Sequence, residues 1–289
     1  MFANNKKAII KINRIMIIGI IGLIVGSLFD MPINKSLYWR GSIIPNFVRL
    51  CGEMPMIILL NAISIATIRE TLLRFNKIED KSKYITVFLA VLSIILPTIN
   101  SSFGIPVYFG WEELWKTALI VIFYLIISYG FSFIFKNTNY KILLRYFYLV
   151  VFVVTISMLV LSLAKNFWSR ARFHNMMEKN DFSEFSFWLI PQMRENVTDA
   201  YKSFPSGHTT SATVALLLLF IPKTSYNEKY LKYTKIFAIV WPLLVALGRI
   251  FDGAHFLTDV SMGLILSCIV IKIAIKVQNS LLKKDGILA

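Results

Sequence analysis

Charge is scarce in this chain, and its scarcity excludes most soluble folds. Only 16% of the 289 residues are Asp, Glu, Lys or Arg, against about 25% in an ordinary globular domain. Acidic residues are the scarcer kind: 16 Asp and Glu stand against 31 Lys and Arg, a net charge of +15. In a soluble protein such an excess points to nucleic acid. Here the cations fall between apolar blocks and not along one face, as membrane topology signals do, so no nucleic-acid partner is expected. Cysteine is nearly absent. Cys51 and Cys268 each lie in or beside an apolar segment, with no CxxC or Cys/His spacing, which argues against a disulfide framework and a structural zinc site. No Pro/Gly/Ser-rich linker, low-complexity tract or fixed-period repeat divides the chain, so one integrated membrane domain is expected.

What the chain has in excess is apolar surface, 56% of its residues, gathered into long blocks. Eight segments stand out, at about 15–29, 53–68, 84–99, 117–135, 146–164, 209–222, 236–251 and 257–275. Several fall short of the ~20 residues of a full span, yet together they predict an all-α, polytopic transmembrane helical bundle. The third is the weakest, since Pro97 and the polar run Asn100-Ser101-Ser102 follow it; a re-entrant pair, leaving six spans, is the alternative. Lys6, Lys7, Lys11 and Arg14 before the first block mimic a signal peptide, but Ser27-Leu28-Phe29-Asp30 is no small-residue cleavage site, so a retained first helix is expected.

Charge also sets the expected orientation. The N-terminus, loops 69–83, 136–145 and 223–235 (with Lys77 and Lys223 among their cations) and the C-terminal tail fall on one side of the eight-span arrangement. That side is the richer in Lys and Arg and is expected in the cytoplasm. Both termini then face inward, and the long 166–207 loop faces outward.

Three polar clusters fall at the outward surface in this arrangement. The first runs from Lys165 to Arg172, the second is Ser203-Phe204-Pro205-Ser206-Gly207-His208-Thr209, and the third runs from Gly248-Arg249 to His255 and Asp259. His255 and Asp259, four residues apart, share a face if the segment is helical. A carboxylate accepting from one imidazole nitrogen fixes the tautomer and leaves the other free as nucleophile or base. Pro205, Ser206 and Gly207 form a turn feeding a helix start, whose N–H groups bind phosphate oxygens. His208 beside them is suited to donating a proton, and Lys165, Arg172 and Arg249 are suited to neutralising a phosphoryl group. Each element alone has a plainer reading: an interfacial histidine, a helix-face hydrogen bond, a snorkelling lysine. Two of only three histidines falling inside these clusters favours a site.

The three clusters resemble the signature of the type 2 phosphatidic acid phosphatase superfamily: Lys-x6-Arg-Pro, then Pro-Ser-Gly-His, then Ser-Arg-x5-His-x3-Asp. Lys165 to Arg172, Pro205 to His208, and Arg249 with His255 and Asp259 carry the match, over roughly residues 145–275. Phe173 stands where the pattern has proline, and Gly248 where it has serine; the loss of that hydroxyl is expected to remove one phosphate contact. The resemblance implies a metal-independent lipid phosphatase with no cofactor. In it His255 attacks phosphorus to form a phosphohistidine, Asp259 orients His255, and His208 protonates the leaving oxygen. Lys165, Arg172, Arg249, Ser206 and Gly207 hold the phosphoryl oxygens. It divides the chain into N-terminal spans, 1–144, and a catalytic region, 145–289.

The implied partners are the bilayer and a lipid phosphate or diphosphate, with undecaprenyl diphosphate, phosphatidic acid and phosphatidylglycerol phosphate as candidates, in a bacterial plasma membrane. A phosphotransferase using the same phosphohistidine, and a lipid or ion transporter, are the rival readings. Trp168, Phe173, Phe182, Phe185, Phe187 and Trp188 read as an aromatic belt at the bilayer interface or, more sharply, as a gate for the lipid headgroup. Arg170, His174, Arg194 and Lys202 are assigned no more than tuning of headgroup choice.

Overall fold

Long apolar runs with few helix breakers leave the backbone one way to satisfy its polar groups in lipid, which is to form helices. The computed structural model describes residues 6–75, 81–109, 114–221 and 228–284, apart from the side chains of 103–109, 228–231 and 282–284. Lys77, Lys223 and Pro222 of the sequence-derived topology lie outside the described residues. Ten α-helices are present among the described residues, and no strand: α1 Lys6–Leu37, α2 Ile43–Cys51, α3 Met54–Leu73, α4 Ser82–Phe109, α5 Leu114–Ser132, α6 Tyr140–Trp168, α7 Phe173–Lys179, α8 Gly207–Thr213, α9 Glu228–Phe251 and α10 Leu257–Lys284.

The described parts of all eight apolar segments are largely helical, and seven lie in helices long and apolar enough to cross a membrane. Their outer faces are inverted relative to a soluble protein, with Leu28, Ile85 and Ile126 more than 60% exposed, a surface that only an apolar solvent covers. The third segment is part of the 28-residue α4, which continues through Pro97 and Asn100 to Phe109. It has the length of a full span, as does the 19-residue α5 after it. The sixth differs. Its apolar stretch Gly207–Phe220 is seven residues of α-helix followed by seven of 3₁₀-helix, Val214–Phe220. At 1.5 and 2.0 Å per residue it reaches about 24 Å, longer than an α-helix of the same length but short of the ~30 Å hydrocarbon core.

The chain forms two compact units that alternate in sequence: Met1–Gly52 with Val153–Phe220 and Thr234–Ala289, and Glu53–Phe152 with Ile221–Tyr233. Within the second, α3, α4 and α5 pack together, with Asn61 Nδ2 of α3 donating to Thr98 Oγ1 of α4 at 2.7 Å in a buried contact, and α4 also meets α6 through the part-buried pair Thr86 Oγ1 with Tyr148 Oη at 2.7 Å. Such interhelical bonds fix helix neighbours where lipid supplies no hydrophobic preference.

Within the first unit, the pairing of α1 with α10 is the most extensive helix contact. Small residues make it possible. A Cβ added at Gly22 would lie 2.4 Å from Ser261 Oγ, and one at Gly26 2.8 Å from Thr258 Cγ2. Glycines four residues apart on one face let two helix backbones approach closely. We expect Gly26→Val to lower the thermal unfolding midpoint in detergent, through a destabilisation of about 1–3 kcal/mol from forced displacement. Ile24→Ala, at a 61% exposed position, is expected to leave the midpoint in place.

Candidate active site

Every residue singled out in the three polar clusters lies in the first unit. Lys165 sits in the last turn of α6. Its Nζ approaches the backbone of Gly207 so closely that a Cβ there would be 3.2 Å away. Ser206 caps α8, its side chain accepting from Thr209 N, as an N-cap serine does to satisfy an otherwise unpaired donor. The backbone N–H of Ser206 donates to Asp259 O at 3.0 Å, which ties this turn to the first turn of α10. Arg249 lies in the last turn of α9, and its carbonyl accepts from His255 N at 3.3 Å. Between them Gly253 turns the chain at φ +64°, where a Cβ would also strike Tyr38 at 2.7 Å, so glycine is required there.

His255 is the centre of this assembly. It is 1% exposed, and its Nδ1 lies 2.6 Å from the carbonyl oxygen of Ser203. A carbonyl only accepts, so Nδ1 carries the proton and the neutral ring keeps its lone pair on Nε2. Burial, then the positive charges of Arg249, Arg172 and Lys165, hold the imidazole well below its ordinary pKa. A neutral, tautomerically fixed imidazole among three cations is equipped to attack an anionic phosphorus centre.

The expected bond from Asp259 to His255 is replaced by an indirect one. His255 precedes α10 and is not helical, so the four-residue spacing does not stack the two side chains, and Asp259 Oδ2 is 3.9 Å from Nδ1. The carboxylate instead accepts from Ser203 Oγ at 2.5 Å, from Phe256 N at 2.8 Å and from Arg170 Nη1 at 2.5 Å. Asp259 therefore holds Ser203, and Ser203 holds the imidazole.

Arg170 is the residue that sequence reasoning undervalued. It is 1% exposed and takes no part in a headgroup surface. Nη2 donates to Asp30 Oδ2 at 2.9 Å, Nη1 to Asp259 and to Thr258 Oγ1 at 2.8 Å, and Nε to Ser186 O at 3.0 Å. Its guanidinium also lies 4.3 Å from the centroid of the Phe256 ring. Asp30 was readable as a lone carboxylate in an apolar block, the kind of intramembrane charge that marks function. Its partner, 140 positions away, was not.

The remaining residues divide by surroundings. Arg172 pairs with Asp199 at 2.8 Å, while its Nε is buried without a hydrogen-bond partner among the described residues, a donor available to an oxyanion. Arg249 pairs with Asp252 at 2.9 Å. His208 is half-buried with Nε2 3.1 Å from Arg49 O, so this nitrogen bears a proton. His174 is buried beside the Gly253 turn, its backbone N–H donating to Gly253 O at 2.8 Å. Arg194 lies over the Tyr201 ring at 4.0 Å, outside the cluster around His255. Lys202 is half-buried, in the loop before Ser203.

The loop aromatics divide between the two readings: Phe173 is buried, Trp168, Phe182 and Trp188 are half-buried, and Phe185 and Phe187 are exposed. Trp188 stacks on Phe204 at 5.8 Å and donates Nε1–H to Ser27 Oγ at 2.8 Å. Phe173 packs edge-on against Phe256 and Tyr38. The outward apolar tip is Leu189, Ile190 and Met193, each more than 55% exposed.

Both departures from the resembled pattern have packing reasons. Phe173 is the first residue of α7, a position that favours proline, but here its fully buried ring completes the cluster with Ala171, Met176 and Phe256. Gly248 has no room for a serine: a Cβ there would lie 2.6–2.9 Å from three side-chain atoms of Val48. Val48 thus fills the space that a side chain at position 248 would take.

Residues 145–282 match the model of the PAP2 superfamily. No curated protein and no solved structure matches the chain. If Val48 is what keeps serine out of position 248, Gly248→Ser destabilises by about 1–3 kcal/mol through overpacking. The double variant Val48→Ala/Gly248→Ser then recovers most of that loss in thermal unfolding, because the valine methyls are gone.

Proposed function

We propose, from the premise that the chain belongs to the PAP2 superfamily, that it is an integral membrane phosphatase that hydrolyses a lipid phosphate or diphosphate through His255. Membership itself implies phosphatase activity on phosphate esters, and the seven long apolar helices make it an integral membrane protein. The observation that carries the finer reading is the fixed tautomer of His255, with Nδ1–H on the Ser203 carbonyl and Lys165, Arg172 and Arg249 acting on the ring.

The lone pair of Nε2 attacks phosphorus, forming an N–P bond as the bond to the lipid oxygen breaks. The leaving oxygen takes a proton from His208; water then attacks the phosphohistidine as it gives a proton back to His208, and the N–P bond breaks to release inorganic phosphate and regenerate the neutral imidazole of His255. Charge on the equatorial oxygens falls to Lys165, Arg172 and Arg249, with the Ser206 hydroxyl and the Gly207 N–H at the start of α8. Phosphoryl transfer asks chiefly for such positioning and charge neutralisation, which three cations supply in a metal-independent reaction without a cofactor. Asp259 holds the Ser203 side chain. The excess of Lys and Arg in the opposite loops supports an extracytoplasmic site, with both termini cytoplasmic. An outward site suits a lipid diphosphate carrier such as undecaprenyl diphosphate in a bacterial plasma membrane. Phosphatidic acid and phosphatidylglycerol phosphate present the same phosphoryl group.

Purified protein in detergent with EDTA is expected to release phosphate from at least one of these lipids, and His255→Ala to release none. Lys165→Met and Arg172→Met should each lose roughly 100–1,000-fold in kcat, the usual cost of one donor to a developing oxyanion. Release that survives His255→Ala contradicts the mechanism, and a new phosphorylated lipid in place of free phosphate reassigns the protein as a transferase. The pH profile follows from the sign of the His255 shift. Protonation destroys the nucleophile, and a pKa held below 6.5 by burial and Arg249 places the acid limb of kcat/KM below pH 6.5. Arg249→Gln removes one cause of the depression and is expected to move that limb up in pH.

A further inference from the structure

The first helix lies wholly outside the matched residues 145–282, yet one of its buried side chains reaches the turn that carries the nucleophile and another reaches the start of α10 just after it. Asn34, 0% exposed, donates Nδ2–H to the carbonyl of His255 at 3.1 Å. Asp30, 4% exposed, accepts Thr258 N at 3.0 Å on Oδ1. On Oδ2 it accepts from Thr258 Oγ1 and from Arg170 Nη2. Positions 30 and 34 are four apart and share a helix face. Gly26 and Gly22 continue that face and bring α1 against α10, so that short polar side chains can bridge the two.

We infer that Asp30 and Asn34 of α1 are positioning residues for the His255 nucleophile, which makes the first helix part of the reacting apparatus. Neither residue bonds to the imidazole. Each acts through others, by two routes. Asn34 fixes the backbone of His255 directly. Asp30 fixes Arg170, Arg170 fixes Asp259 at 2.5 Å, Asp259 fixes Ser203 Oγ at 2.5 Å, and the carbonyl of Ser203 fixes Nδ1 at 2.6 Å. The charges in this chain are buried, with Arg170 at 1% and Asp259 at 0% exposure, where each link is stronger than in water and an unmade one is costly. Asparagine at position 30 keeps the shape of Asp30 but turns an NH₂ toward either Thr258 N–H or the Arg170 guanidinium, so one donor loses its acceptor whichever way the amide faces.

This inference rests on the reading of His255 as nucleophile. The test uses the full-length chain in detergent, with phosphatidic acid in mixed micelles as the first probe, beside His255→Ala. Asp30→Asn and Asn34→Ala are expected to lower kcat about 10–100-fold, the cost of misplacing a reacting group. KM should change less than twofold, because neither residue meets substrate. The pair Asp30→Asn/Arg170→Gln should lose little more than the worse single variant, as members of one chain of contacts do. A folded Asp30→Asn with kcat within twofold of wild type, or a loss confined to KM, overturns the inference. Should Asp30→Asn fail to fold, Asn34→Ala, which removes one neutral hydrogen bond, decides by the same split. If His255→Ala is inactive while both α1 variants turn over normally, the inference alone fails. If His255→Ala remains active, the function proposed above fails with it.

Discussion

Arg170 lies between Asp30 and Asp259 with nearly all of its surface removed from solvent, and the region around His255 takes its shape from that placement. Burying one guanidinium and two carboxylates is costly, and removing one partner of such a set typically costs 3–5 kcal/mol because another charge is left unpaired. The fold meets the cost with geometry. Four of the five guanidinium N–H groups have acceptors in Asp30, Asp259, Thr258 and the carbonyl of Ser186, and the Phe256 ring covers the face. These contacts join α1, the loop after α6 and the start of α10, three stretches far apart in sequence. Once they are joined, the Ser203 carbonyl has a defined position, and so does the imidazole bonded to it.

The charge of this network complements that of the site beside it. The two carboxylates are engaged by Arg170 and by backbone and hydroxyl donors, while Lys165, Arg172 and Arg249 lie near His255. The arrangement separates two tasks that a single carboxylate–imidazole pair would combine. A carboxylate bonded directly to Nδ1 would favour the imidazolium. A carbonyl fixes the same tautomer with much less pull on the proton, and the neighbouring cations oppose protonation. In the proposed reaction the ring is therefore neutral before attack, and the charge it gains on forming the N–P bond is balanced by the incoming phosphoryl group.

Much of this was legible in the sequence, and what was not shares one physical cause. Apolar run length located all eight helical segments, and spacing picked out His208, His255 and the three cations, because both signals are local. The Asp259–His255 bond was misjudged because four-residue spacing was read as helical, whereas Gly253 and the His255 backbone bond to Arg249 O form a turn there. The Asp30–Arg170 pair, the Val48–Gly248 contact and the inward packing of Trp188 on Phe204 join residues distant in the chain. One sequence offers no local pattern that pairs them. Asp30 alone was visible, as a carboxylate in an apolar block, but its meaning lay in an arginine 140 positions away.

The most direct test of the account is ³¹P NMR of the covalent adduct, trapped by rapid alkaline denaturation during turnover of a lipid phosphate. Because the Ser203 carbonyl occupies Nδ1–H, the account predicts a single phosphohistidine on Nε2 of His255, absent from His255→Ala. Phosphate on Nδ1, on another residue, or on no residue while turnover proceeds would contradict it.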